Sequence, residues 1–226
     1  MTALDRRLAA CADMVTGGFA ADIGTDHGYL PSYLVRNGIC SRAIAADINA
    51  APLAAARRTV TAEGTSDRVQ LILSDGLRDV PLDGVTDIIL AGMGGELISR
   101  IVLEDERCRE TAVICQPMTK AEVLRREMWS HGYALERERA VISGKHIYSV
   151  MRWRYTGGEP YDDADVYIGK LSYEDETDRK YIDGVLRRLT AAAEGRSISS
   201  PEEAAALRAL ITMIEGRIGH DSTGDI

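Results

Sequence analysis

No Cys-x-x-Cys pair occurs among the four cysteines, Cys11, Cys40, Cys108 and Cys115, and no histidine stands at zinc-finger spacing from them. That removes the common structural zinc sites and leaves buried or free thiols in a reducing compartment as the expectation. No stretch approaches the roughly 20 apolar residues that span a bilayer. The opening MTALDRRLAACADMV lacks a signal peptide's apolar centre and cleavage site. A soluble, cytoplasmic chain with no membrane contact is expected. A basic surplus is also missing, since the net charge is -8. Residues 159–226 carry 8 Lys and Arg against 15 Asp and Glu, whereas residues 1–158 carry 19 against 20. Nucleic-acid binders ordinarily show a basic footprint, so any such site here has to be a local patch on the nearly neutral first part. Gly-x-Ser-x-Gly is absent, which speaks against a hydrolase elbow. His131, His146 and His220 are scattered, and no metal site is expected. There is no internal repeat and no low-complexity tract.

What is present is enough for a core: 226 residues, 45% of them hydrophobic, fit one domain of about 150 residues and a small appendage. Leu4, Leu8, Cys11, Ala12 and Val15 recur at helical spacing and predict a helix over residues 3–15. Short apolar runs then alternate with helical patterns. FAADIG, RAIAADI, RVQLILSDGL, VTDIILAGMGG and TAVICQP read as strands. YLPSYLVRNG, APLAAARRTVTAEG, ELISRIVLED and KAEVLRREMWSHG read as the helices between or after them. ALERERAVISGKHIYSVMRWRY alternates like two strands joined at SGK, a hairpin. Strand–helix alternation implies a parallel sheet covered on both faces, with right-handed crossovers. The terminal hairpin is expected to add an antiparallel edge. The pattern breaks near residues 157–160, so the domains are expected at 1–158 and 159–226. The second is helical: YIGKLSYEDETDRKYIDGVLRRLTAAAEG and SPEEAAALRALITMIEGRI form a helical hairpin through RSISS, the latter capped by Ser200 with Pro201 first. The tail GHDSTGDI is expected to be loose.

Ligands of open parallel sheets bind beyond the carboxyl ends of the strands. After the first strand comes Asp22-Ile-Gly24-Thr-Asp26-His27-Gly28, where glycines permit a sharp turn and close ligand approach. Asp26 stands where a Gly-x-Gly-x-Gly loop has its middle glycine. A carboxylate there opposes a pyrophosphate and suits a ligand with an ammonium group. Asp26 and His27 are adjacent, so on a turn their side chains are expected to diverge. After the second strand, Asp47 fits either a ribose-hydroxyl acceptor or a cap for the next helix. Asp75 and Gly76 follow the third strand, as an adenine acceptor or an ordinary turn. Gly92, Met93, Gly94 and Gly95 follow the fourth, serving ligand contact or a close helix–sheet crossing. Gln116 and Pro117 follow the fifth; the amide of Gln116 can read a base edge or satisfy backbone groups.

Taken together, ADIGTDHGYLP, AADINAAPLAAA, SDGL, IILAGMGGELI, ICQPM and GKHIYSVMRW resemble the TrmK family over about residues 3–155. The resemblance implies an α/β class I methyltransferase with a Rossmann-like sheet, a terminal β-hairpin and a small C-terminal helical, coiled-coil-like extension. It implies S-adenosyl-L-methionine (SAM) as cofactor and N1 of adenine 22 in tRNA as the methylated atom. By position it assigns Asp22, Gly24, Asp26, His27 and Gly28 to the SAM loop, and Asp47 and Ile48 to the ribose. Asp75 and Gly76 fall on the adenine side, and Gly92, Met93 and Gly94 beside the cofactor. Tyr29 is expected either to stack on the target adenine, with Gln116 and Pro117 beside it, or to pack in the core at the start of its helix, and Asp26 to stabilise charge on the base. The Asn/Asp-Pro-Pro-Tyr sequence of amino-group methylation is absent. Cations available for RNA are Arg6, Arg7, Arg57, Arg58, Lys120, Arg125, Arg126, Lys145, Arg152 and Arg154. Methylation of another RNA, a nicotinamide-dependent oxidoreductase on a similar sheet, and a non-catalytic RNA- or protein-binding module are the alternatives. Asp26 weighs against the oxidoreductase.

Overall fold

The computed structural model describes residues 4–221. Seven strands form one sheet in the order β3-β2-β1-β4-β5-β7-β6. They are β1 (Gly18–Ile23), β2 (Cys40–Asp47), β3 (Val69–Leu73), β4 (Asp87–Gly94), β5 (Ala112–Thr119), β6 (Tyr133–Ser143) and β7 (His146–Tyr155). The first five pair in parallel, and β7 runs antiparallel to both neighbours. The hairpin turns at Gly144-Lys145 as its sequence predicts. It forms the antiparallel edge as expected, with β7 inserted between β5 and β6 and β6 outermost. Burial explains the order. The middle of β7, Ser149 to Trp153, is buried, whereas β6 carries exposed Glu136 and Arg137; the more apolar strand takes the interior place.

Helices α1 (Arg6–Ala12), α2 (Tyr29–Arg36), α3 (Ala50–Ala62), α4 (Gly95–Leu103) and α5 (Ala121–Ser130) cover the sheet. Two apolar clusters result. Ile23, Ile44, Ile88, Leu90, Ile98, Leu124 and Trp153 lie in one; Leu30, Leu34, Ala45, Ile89, Ile114 and Val150 lie in the other. The alternation Ile88/Ile89/Leu90 shows one strand feeding both faces, as a doubly covered sheet requires. The first helix is shorter than residues 3–15. Asp5 caps it by accepting from the backbone N–H groups of Arg7 and Leu8 at 2.8 and 3.0 Å, which fixes its start.

The C-terminal part has three helices, not two: α6 (Asp163–Ile168), α7 (Glu176–Arg196) and α8 (Pro201–Asp221). Gly169, at φ +60°, breaks the long helix read from the sequence. A Cβ there would strike Glu138, so the chain turns away at this glycine. α7 and α8 meet through Ile182, Val185 and Leu189 on one side and Leu207, Ile211, Ile214 and Ile218 on the other. The expected loose tail begins inside α8, which continues through Gly219 and His220; residues 222–226 lie outside the described residues.

The irregular connection between β7 and α6, residues 156–162, is fastened to the sheet. Glu159 accepts from Trp129 Nε1 and Leu135 N, both at 2.8 Å. Below it, Arg125 and Glu138 form a fully buried ion pair at 2.6 Å. Arg125 also donates to the carbonyls of Val166 and Tyr167 at 3.1 Å, and Glu138 accepts from Lys170 N at 2.8 Å. Burial works against the guanidinium charge, and the charge of Glu138 more than offsets it, raising the Arg125 pKa. Arg152 is likewise buried, paired with Asp87 and donating to Met14 O at 2.8 Å. Arg125 and Arg152 therefore leave the set of cations available to RNA.

Candidate functional site

Gly24 N and Thr25 N both donate to Ala46 O, at 2.8 and 2.9 Å. This ties the loop after β1 to the end of β2 and brings the acids of the two strands to one place. A cavity of about 520 Å³ opens there, lined by Asp22, Gly24 to Leu30, Asp47, Ala91 and Gly92. It lies at the carboxyl ends of β1, β2 and β4, where an open α/β sheet binds ligands.

Asp22 is 7% exposed. Burial raises its pKa to about 6; a hydrogen bond from the Thr25 side chain pulls it down, and the charge of Asp47 pushes it up. This is a buried carboxylate short of positive charge. Asp47 accepts from Asn49 N at 2.7 Å, just ahead of α3, and also lines the cavity. The N-cap of α3 is Asn49, so the Asp47 bond is a turn contact ahead of the helix and not a cap. Asp26 and His27 do not diverge: His27 Nε2 is 3.3 Å from Asp26 Oδ2. The His27 ring stacks on Tyr29 with centroids 5.2 Å apart and planes 16° apart. The turn bends enough that side chains adjacent in sequence meet. Both remain well exposed at the mouth, and no nucleophile accompanies them.

The glycine-rich turn divides its roles. Gly92 has φ +86° with open space where a Cβ would stand, and it lines the cavity. Gly95 opens α4, and a Cβ there would lie 2.2 Å from Lys120 O, so it permits the close crossing of α4 by the β5–α5 connection. Met93 points beneath the loop, with its Cε where a side chain at Gly24 would go. Gly94 is the extended N-cap of α4 and does not line the cavity. Ile48 is 58% exposed outside it. Asp75 and Gly76 line a separate cavity of about 480 Å³ against α4, with Arg78, Arg100 and Glu104.

Gln116 is fully buried. Its Oε1 accepts from Arg7 Nη1 at 3.2 Å and its Nε2 donates to Pro117 O at 2.9 Å. Both ends of the amide are engaged inside the protein, which gives the backbone-satisfying reading of this residue. Pro117 lines neither of the cavities just described. Sequence reasoning missed α1 as a wall: Asp5, Arg7 and Leu8 also line the main cavity. Asp5 announces a helix start, but nothing local says that this helix lies across the ends of β4 and β5.

The cavity is lined by four carboxylates, Asp5, Asp22, Asp26 and Asp47, of which Asp22 is buried. A family model described as a methyltransferase domain matches residues 4–151. The tRNA (adenine(22)-N(1))-methyltransferase of Bacillus subtilis is 34% identical over 151 residues, 66% of this chain and 63% of that protein, so the match spans less than two thirds of the relative's length. The crystal structure of the B. subtilis enzyme TrmK superposes with a TM-score of 0.79 at 26% identity, covering 98% of each chain. A candidate tRNA methyltransferase of the same specificity from Streptococcus pneumoniae superposes at 0.86, with 28% identity over 96% of this chain and all of that one. In its complex with SAM the TM-score is 0.79, at 29% identity over 91% of this chain and 98% of that one. The chain belongs to the methyltransferase-domain family.

Proposed function

We propose that this protein transfers a methyl group from SAM to N1 of adenine 22 in tRNA. The observation that carries the reading is Asp22, a buried carboxylate with a raised pKa facing a cavity it shares with Asp47. An ammonium group supplies the missing positive charge; a pyrophosphate would add to the deficit. The methionine end of SAM has that group, and its ribose offers hydroxyls to Asp47. Asp26 at the mouth supplies a further carboxylate, and Gly24, Gly28 and Gly92 let the ligand approach the backbone. The relatives' activity and the SAM-bound S. pneumoniae structure support the same reading.

SAM supplies an electrophilic methyl on a sulfonium. Adenine N1 carries its own lone pair, so the protein's task is alignment, which by itself lowers such barriers greatly. The methylated base is cationic, and Asp26 stands where its carboxylate stabilises that charge. Tyr29, held by the His27 ring, offers an aromatic surface for the base. Equal activity of Tyr29→Phe and Tyr29→Ala would remove Tyr29 from this role. The spacing of Leu207, Ile211, Ile214 and Ile218 supports reading α7 and α8 as a short coiled coil. A tRNA substrate places the enzyme in the cytoplasm. No described helix is long and apolar enough to cross a membrane.

The test is labelled SAM with unmodified tRNA followed by nucleoside analysis. Labelled 1-methyladenosine at position 22 is expected, and its absence overturns the reading. Thermal stabilisation by NAD but not by SAM would favour the oxidoreductase instead.

A further inference from the structure

A third cavity, of about 290 Å³, lies where the end of β5 and the start of α5 face β7 and α7. Pro117, Met118, Tyr148 and Tyr181 give it apolar and aromatic walls; Arg188, Lys120 and Glu122 also line it, the Lys120 ammonium being held by Glu96 at 2.6 Å. Arg7 joins it to the main cavity. Arg7 lines the main cavity, while its Nη1 reaches Met118 Sδ at 3.0 Å and its guanidinium carbon lies 5.6 Å from the Tyr148 ring centre.

Two features mark this as more than a crevice between packed parts. Lys120 holds the left-handed backbone, φ +57°, the one non-glycine residue to do so among those described. Such strain persists where the surrounding structure enforces it, and it gathers at functional positions. Arg188 is exposed on α7 and forms no ion pair among the described residues, although it belongs to the acid-rich part of the chain. The acidic extension thus presents to this opening a cation with no ion-pair partner among the described residues. Aromatic walls suit an unstacked base, whose π-face stacks without regard to sequence, and a cation at the edge suits a phosphate.

We propose that this cavity receives an unstacked nucleotide of the RNA substrate, with Arg188 on its phosphate and the tyrosines beside its base. The C-terminal helices then contribute to RNA binding through a local charge, against their net charge. The proposal rests on the methyltransferase reading for the identity of the RNA.

Fluorescence anisotropy of labelled unmodified tRNA across a salt series tests it with Arg188→Glu, Tyr148→Ala and, as a control of equal charge change, Arg187→Glu, which lies outside the cavity. Arg188→Glu is expected to weaken binding about tenfold or more and to reduce the salt slope by about one. Tyr148→Ala is expected to weaken binding with the slope unchanged. Arg187→Glu is expected to bind nearly as the parent does, and SAM-induced thermal stabilisation is expected to be retained in Arg188→Glu. Wild-type affinity in Arg188→Glu, or an equal loss in Arg187→Glu, overturns the assignment. Binding without methylation by the parent protein would overturn the methyltransferase reading alone, because anisotropy reads the cavity independently of turnover.

Discussion

Asp22 and Asp47 end adjacent parallel strands and line one cavity, and the charge of Asp47 raises the pKa of Asp22. Neither acid forms an ion pair among the described residues, although Arg7 lines the same cavity, and their proximity sets a stability cost that a ligand can relieve.

That cost has a pH signature. The folded pKa of Asp22, about 6, lies above its ordinary 3.8. The folded state therefore holds the proton more tightly, and the stability this confers is complete below about pH 3.8 and lost as pH rises through about 6. Asp22→Asn removes the penalty. Denaturant titrations should show the variant more stable than the parent at pH 8, by on the order of 3 kcal/mol, with the difference shrinking toward pH 4. An equal difference at both pH values would refute this origin.

Ligand binding should show the complementary trend. An ammonium group beside Asp22 favours its ionised form, so SAM binding expels a proton where Asp22 is protonated. Calorimetric affinity for SAM is expected to tighten from pH 5 to pH 7. A flat profile in the parent protein would separate Asp22 from the ammonium.

Arg7 is expected to matter for stability through a residue far from it in sequence. Arg7→Met leaves buried Gln116 without its donor. The cost is about 1–3 kcal/mol, measurable by denaturant unfolding. Gln116→Leu in the same background should recover part of it. No recovery in the double variant would show that Arg7 acts through Asp5 or Tyr148 instead.

Glu138→Ala should be far more damaging than any surface exchange, at about 3–5 kcal/mol, because it strands the Arg125 charge in the interior. Arg125→Met with Glu138→Leu removes both charges and should be milder than Glu138→Ala alone. Chemical denaturation of the single and double variants decides it; a double variant worse than the single would refute the argument.

Much of this was legible from residue order. Period-two and period-3.6 patterns gave five strands alternating with helices, and the SGK hairpin fell where it was read. That Asp22, Gly24, Asp26 and Asp47 line one cavity was legible because acids and glycines at strand ends have few structural reasons to cluster. The divergence of Asp26 and His27 was misread, because adjacency fixes only backbone direction and the turn's dihedral angles fix where side chains go. The roles of Gly92 and Gly95 could not be divided in sequence, since an open space and a carbonyl 2.2 Å away call for the same residue.

The sequence by itself determined the class of sheet, the order of its elements and the placing of Asp22 and Asp47 at strand ends, because each depends on local pattern or on position at a strand end. Only the tertiary structure decided that β7 lies inside the sheet and that α1 walls the cavity. It also decided that Arg125 and Arg152 are buried partners of Glu138 and Asp87, and that Arg188 faces a cavity from an acidic extension. These depend on contacts between residues tens of positions apart. There burial and pairing, not residue type, decide whether a charge serves the fold or a ligand.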